Sequence, residues 1–126
     1  MASKKVVFIA FAIEDQNQRD LLKGQSLHTN STFEYIDMSV KEPYDSGWEE
    51  KVKTRIRRSD GVIALVSKNS LTSTGEKKEI GWSKDEGKKM IGLWAYSDDS
   101  ISLSALNGYS TITWTRDGIA KFIDSL

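Results

Sequence analysis

Gly61-Val62-Ile63-Ala64-Leu65-Val66, followed by Ser67, is the stretch that decides the fold. Six consecutive residues without a polar side chain are the pattern of a strand buried on both faces. Such a strand belongs in a parallel sheet covered by helices on either side, so its flanks must carry a helical period. Upstream, Trp48, Val52 and Ile56 recur every four residues. Glu49 and Glu50 stand in the first turn of that segment and Arg55, Arg57 and Arg58 in the last, so an amphipathic helix forms whose charges complement its dipole. Downstream, Ser73-Thr74-Gly75-Glu76 has the spacing of a capping box, and the helix it opens closes at Gly87.

Working outward, Val6–Ala10 is a second fully apolar run and reads as another central strand. The segment from Asp15 to Lys23 holds Leu21-Leu22 among polar residues and predicts a short helix stopped by Gly24 as its C-cap. Phe33-Glu34-Tyr35-Ile36 alternates like a half-exposed strand, and Asp37–Gly47, around the sole proline Pro43, reads as a loop. Met90-Ile91-Gly92-Leu93-Trp94 is a further buried strand, Ser97–Tyr109 a polar loop and Thr111–Trp114 an edge strand, with Ile119, Phe122 and Ile123 marking a last helix. The order β-α-β-α-β-α-β-loop-β-α predicts an α/β fold. Specifically, it predicts a flavodoxin-like three-layer sandwich whose five-stranded parallel sheet runs 2-1-3-4-5, in a single domain over residues 1–126.

Composition narrows the chemistry. The chain has 18 basic and 18 acidic residues, so no global positive field exists to hold nucleic acid or an anionic membrane. Cysteine is absent, which removes disulfides, thiolate zinc sites and thiol nucleophiles and suits a reducing, cytoplasmic setting. With His28 as the sole histidine, multi-histidine metal sites and a Ser-His-Asp triad are disfavoured. The apolar run Val6–Ile13 is far too short to cross a bilayer, and no signal-peptide pattern surrounds it. Carboxylates, hydroxyls and aromatics must carry any chemistry.

In sheets of this kind ligands sit beyond the carboxyl ends of the strands. A phosphorylated receiver needs an aspartate after the third strand, where Ser67-Lys68 stands. A flavin-phosphate loop needs hydroxyls and glycine after the first, where Phe11-Ala12-Ile13-Glu14-Asp15 places two acids that repel phosphate. No glycines have the spacing of a dinucleotide or P-loop motif.

The third helix and the strand after it are more informative. Glu79-Ile80-Gly81, then Gly87-Lys88-Lys89 and Met90–Leu93, resembles a segment of TIR and TIR-like domains in which a helix glutamate after the third strand does the chemistry. Val7–Phe11 with Glu14-Asp15, and Ile56-Arg57-Arg58-Ser59-Asp60-Gly61-Val62-Ile63-Ala64-Leu65-Val66-Ser67, resemble two further segments of those domains, so that nearly the whole chain is covered. Tyr35-Ile36-Asp37-Met38-Ser39 with Trp48 downstream is most similar to the ThsB-like, TIR-like proteins of Thoeris antiphage defence. Two departures are that Gly75–Lys78 precedes the glutamate where a Trp or Cys is common, and that Ala10 replaces a frequent serine.

The resemblance implies an enzyme that cleaves NAD, taken as substrate rather than cofactor, and makes a cyclic ADP-ribose-type messenger for a separate effector. It implies Glu79 as catalytic residue, Phe11, Ala12, Ser39, Asp45, Trp48 and Ser67 as substrate contacts, no metal, and self-association on activation.

The carboxylate chemistry also stands without the family. Breaking the nicotinamide–ribose bond releases a neutral amide from a pyridinium, so one carboxylate that stabilises the oxocarbenium ion suffices. Phe11 and Trp48 are the aromatics nearest to stack on a ring. Two other readings stay open: a nucleoside 2-deoxyribosyltransferase, which shares the fold and a Glu-Ile-Gly helix, and a TIR-like interaction module without turnover. Lys51, Lys53, Arg55, Arg57 and Arg58 read as a solvated helix face, and Trp82 as a packing or assembly contact.

Overall fold

A computed structural model describes residues 5–28, 35–37, 47–96 and 100–126, without the side chains of 23–28, 35–37 and Trp48. Five strands, β1 (Lys5–Ala10), β2 (Tyr35–Asp37), β3 (Gly61–Val66), β4 (Lys89–Trp94) and β5 (Thr111–Ile112), form one sheet of order β2-β1-β3-β4-β5. Every neighbouring pair is parallel, with Phe8 opposite Val62 and Val62 opposite Met90. The helices are α1 (Gln16–His28), α2 (Trp48–Arg58), α3 (Thr74–Asp85) and α4 (Arg116–Asp124).

Alternation along the strands divides the core in two, because successive side chains leave opposite faces of a sheet. Val62, Ala64 and Val66 of β3 pack with Phe8 and Ala10 against Val52 and Ile56 of α2 and Ile80 of α3. Ile63 and Leu65 pack with Val7 and Ile9 against Leu22 of α1 and Ile119 and Ile123 of α4. The sheet is thus the middle of three layers, and all six residues of β3 are buried. Each fully buried Leu or Ile contributes about 1.5–3 kcal/mol by leaving water.

Several boundaries differ from the sequence reading. α1 runs through Gly24 to His28, since glycine ends a helix only when the chain turns left-handed there and otherwise costs a helix about 1 kcal/mol. Among the described residues the left-handed glycines are Gly87 and Gly108. Gly87 closes α3 as expected: its N–H donates to the Lys84 carbonyl at 3.0 Å, and that of Lys88 to the Ser83 carbonyl at 3.1 Å. β2 is described over Tyr35–Asp37, while Phe33, Glu34 and the expected loop between Asp37 and Gly47 lie outside the described residues; β5 stops at Ile112 rather than Trp114. The segment read as a polar loop carries Leu103 and Leu106 into the α2/α3 core, around a 3-10 turn at Ser104–Leu106. Two apolar anchors among polar residues have no period to announce them.

Candidate active site

Because every strand is parallel, the carboxyl ends of β1, β3 and β4 share one edge, and the segments leaving them meet there. After β1 the chain turns through Phe11, Ala12 and a 3-10 turn at Ile13–Asp15; after β3 it turns through Ser67 and a 3-10 turn at Lys68–Leu71. Asp15, fully buried, gathers this edge. Its carboxylate accepts from the Ser67 hydroxyl, from the Asn69 side-chain amide at 2.8 Å and from the Tyr96 phenol at 3.0 Å. Gln18 of α1 adds a donor to the Ala95 carbonyl at 2.6 Å. The tips of three strands are thereby tied through one carboxylate, a charge-assisted arrangement stronger than neutral hydrogen bonds.

α3 lies across the same edge. Ser73 caps it, its hydroxyl accepting the Glu76 N–H at 3.1 Å. The capping box is only half formed. Glu76 does not return its carboxyl to the Ser73 backbone; the side chain is 1 % exposed, and neither carboxyl oxygen has a hydrogen-bond partner among the described residues. One turn on, Glu79 is 5 % exposed and also faces inward. Lys77 and Lys78 occupy the outer face, Lys77 donating to the Leu71 carbonyl at 2.6 Å and Lys78 pairing with Glu49 at 3.4 Å. The helix therefore turns its acids toward the sheet edge and its cations toward solvent.

Burial dominates the titration of both acids, because a charged carboxylate is disfavoured away from water. It pushes Glu76 up to about 8, with the charge of Asp15 adding to the effect and the Ser70 hydroxyl easing it. That hydroxyl is itself engaged with the Leu65 carbonyl at 3.1 Å. Burial and then the neighbouring Glu76 raise Glu79 well above the ordinary carboxylate range, against the easing effect of the Phe11 backbone N–H. At neutral pH the resting site holds Glu76 mainly protonated, and the same burial biases Glu79 toward its acid form.

The sequence candidates fall as follows. Glu79, Phe11, Ala12 and Ser67 come together at this edge. Phe11 presents its N–H to Glu79, while its ring belongs to the α1/α4 core with the Arg19 guanidinium 5.3 Å from the ring centre. Ala12 is buried, its carbonyl accepting the Asp15 N–H at 2.8 Å. The Ser67 hydroxyl donates to Asp15 and accepts the Asn69 N–H at 3.1 Å. Trp48 is the first residue of α2, with its side chain outside the described residues; Ser39 and Asp45 lie outside them altogether. Sequence reasoning missed Asp15 and Glu76 as site residues. Asp15 was visible only as half of an acidic pair after β1, and Glu76 only as a capping residue.

Elsewhere, a cavity of about 250 Å³ lies between the end of β4 and the 100–109 segment, lined by Trp94, Ile101, Leu103, Leu106, Tyr109 and Thr111 among others. Its described lining has no carboxylate or cation. Among the described residues no group of His, Asp or Glu is arranged to hold a metal ion, and no helix is long and apolar enough to cross a membrane.

A parallel sheet in this order, with a buried glutamate on the helix after its third strand, is the arrangement expected of a TIR-like domain. The family described as Thoeris protein ThsB, TIR-like domain, matches residues 8–100, and the chain belongs to it. Among solved structures, the TIR domain of the Toll-related receptor TRR-2 from Hydra magnipapillata superposes with a TM-score of 0.64 at 13% identity, over 94% of this chain and 91% of that one. The CMP N-glycosidase BcmB of Clostridium botulinum superposes with a TM-score of 0.61 at 23% identity, over 96% and 98%. At these identities the likeness is one of fold. No curated protein sequence matches the chain.

Proposed function

We propose that this protein is a cytoplasmic enzyme that cleaves the nicotinamide–ribose bond of NAD. It releases an ADP-ribose-type nucleotide, cyclic or linear, that activates a separate effector of antiphage defence. The observation that carries this reading is Glu79, buried at the carboxyl edge of the sheet in a member of the ThsB family. As the bond breaks, positive charge grows on C1′ of the ribose while the nicotinamide leaves neutral, so the reaction needs negative charge beneath the sugar and no proton donor. The pyridinium cation of NAD favours the ionised form of Glu79 and so assembles the carboxylate the reaction uses.

Trp48, Ser39 and Asp45 complete the substrate contacts in this reading, and Ser67 acts by holding Asp15 in place. No phosphate cradle is built into the loop after β1, so NAD binds a monomer weakly and neighbouring copies complete the site. The test is product chromatography after incubation with NAD, together with transfer of small-molecule filtrate from triggered cells to the effector. Wild type releases nicotinamide and its filtrate activates the effector. Glu79→Gln, close in size but uncharged, loses about 10²–10³-fold in rate, and its filtrate is silent. Equal activation by both filtrates overturns the reading.

A second reading is cleavage of a nucleoside or nucleotide N-glycosidic bond with Glu79 as nucleophile. The protonated Glu76 beside it favours this alternative, because a neutral base needs a proton to leave. CMP and 2′-deoxynucleosides in the same assay separate the two.

A further inference from the structure

The Glu76 side chain is the buried polar group that nothing so far employs. Both its carboxyl oxygens are without a hydrogen-bond partner among the described residues at 1 % exposure, one helical turn from Glu79 on the same inner face of α3. Residues three apart on a helix are neighbours, so the two carboxyls share one poorly solvated space. A structural role does not explain the choice: an apolar side chain would pack there without the cost of burying an unbonded carboxyl.

The groups facing the pair come from every packed element. β1 contributes the Phe11 N–H, which favours charge on Glu79. The turn after β1 contributes Asp15, whose negative charge opposes ionisation of Glu76. The turn after β3 contributes Ser70, already bonded to Leu65, and the donors Ser67 and Asn69 are committed to Asp15, as is the phenol of Tyr96 after β4. From α1, the Arg19 guanidinium lies over the Phe11 ring and 3.0 Å from Asp20. Facing α2, Lys78 is on the outer side of α3 with Glu49. The space therefore tolerates one negative charge far more readily than two.

We propose that Glu76 is a positioning residue for Glu79: the two compete for the single negative charge their shared space holds, so that wherever Glu76 takes that charge Glu79 is kept in its acid form unless a cationic ligand arrives. The competition itself is independent of the enzyme's substrate; its link to turnover rests on the NAD-cleaving reading. When a pyridinium enters, Glu79 gives its proton to solvent and Glu76 remains protonated, so binding of the cation is accompanied by release of one proton.

The test is a carboxyl ¹³C NMR titration of the full chain labelled at glutamate, with Glu79 assigned by its loss in Glu79→Gln. In Glu76→Gln the Glu79 midpoint falls by at least ~1 pH unit, a tenfold drop in proton affinity. Glu76→Leu fills the same space without a dipole and gives a fall in the same direction should the amide variant not fold. An unmoved Glu79 midpoint in either folded variant overturns the proposal. In the rate–pH profile for NAD cleavage, the midpoint of the acid limb of Glu76→Gln moves to lower pH and the rate rises above wild type near and above about pH 8, where Glu76 ionises. A purely structural role would instead lower the rate at every pH with the limb in place, and that result also overturns it. If the NMR midpoint moves while no variant consumes NAD, the acid pair stands and the proposed function falls.

Discussion

Raising the pH should weaken this protein through the neutral range, and Glu76 sets the size of the effect. Its carboxyl titrates near 4.5 when exposed and at about 8 in the folded chain. Between those values the folded state holds a proton that the unfolded state has released. Stability therefore falls by about 1.4 kcal/mol per pH unit, is fully retained below the lower value and levels off above the upper one. From about pH 5 to about pH 8 the loss is about 4 kcal/mol, a large share of the 5–15 kcal/mol typical of a domain. Glu79, raised by the same burial, acts in the same direction. Urea unfolding followed by tryptophan fluorescence at several pH values measures the slope, and Glu76→Gln should remove the share that belongs to Glu76. Parallel stability–pH lines for wild type and Glu76→Gln would refute the reasoning.

Asp15→Ala leaves the Ser67 hydroxyl, the Asn69 amide and the Tyr96 phenol without their acceptor, and chemical denaturation should show a loss of about 3 kcal/mol. Gly92→Ala would put a Cβ 2.5 Å from Thr111 Oγ1 and 2.9 Å from a Leu106 methyl; a cost of about 1–3 kcal/mol and a lower Tm are expected from overpacking between β4 and β5. Ser73→Ala removes the cap on the Glu76 N–H and should cost about 1 kcal/mol, read as a drop in urea midpoint without a change in slope. Leu65→Ala opens a cavity in the α1/α4 core, with an expected cost of about 2–5 kcal/mol by the same measurement.

The sequence by itself determined the strands and most helices, because their signals are local. Gly61–Val66 has no polar side chain to place on a wet face, Trp48, Val52 and Ile56 return every turn, and Ser73 and Gly87 bracket α3 with cap chemistry. With right-handed crossovers, that order left few topologies besides the observed one. Glu79 was singled out through its place in a family pattern rather than through any local physics. Tertiary structure alone decided the surroundings of that residue. Asp15 meets Ser67, Asn69 and Tyr96 across separations of 52, 54 and 81 residues, which no window of sequence contains. In a charged helix such as Glu76–Asp85, the spacing of acids and lysines is the same whichever way the helix rolls. Only the seating of Ile80 in the core turns Glu76 and Glu79 inward and leaves Lys77 and Lys78 in water. The same seating makes two ordinary acids into a pair that cannot readily carry two charges, since the dielectric around a side chain is a property of what packs against it.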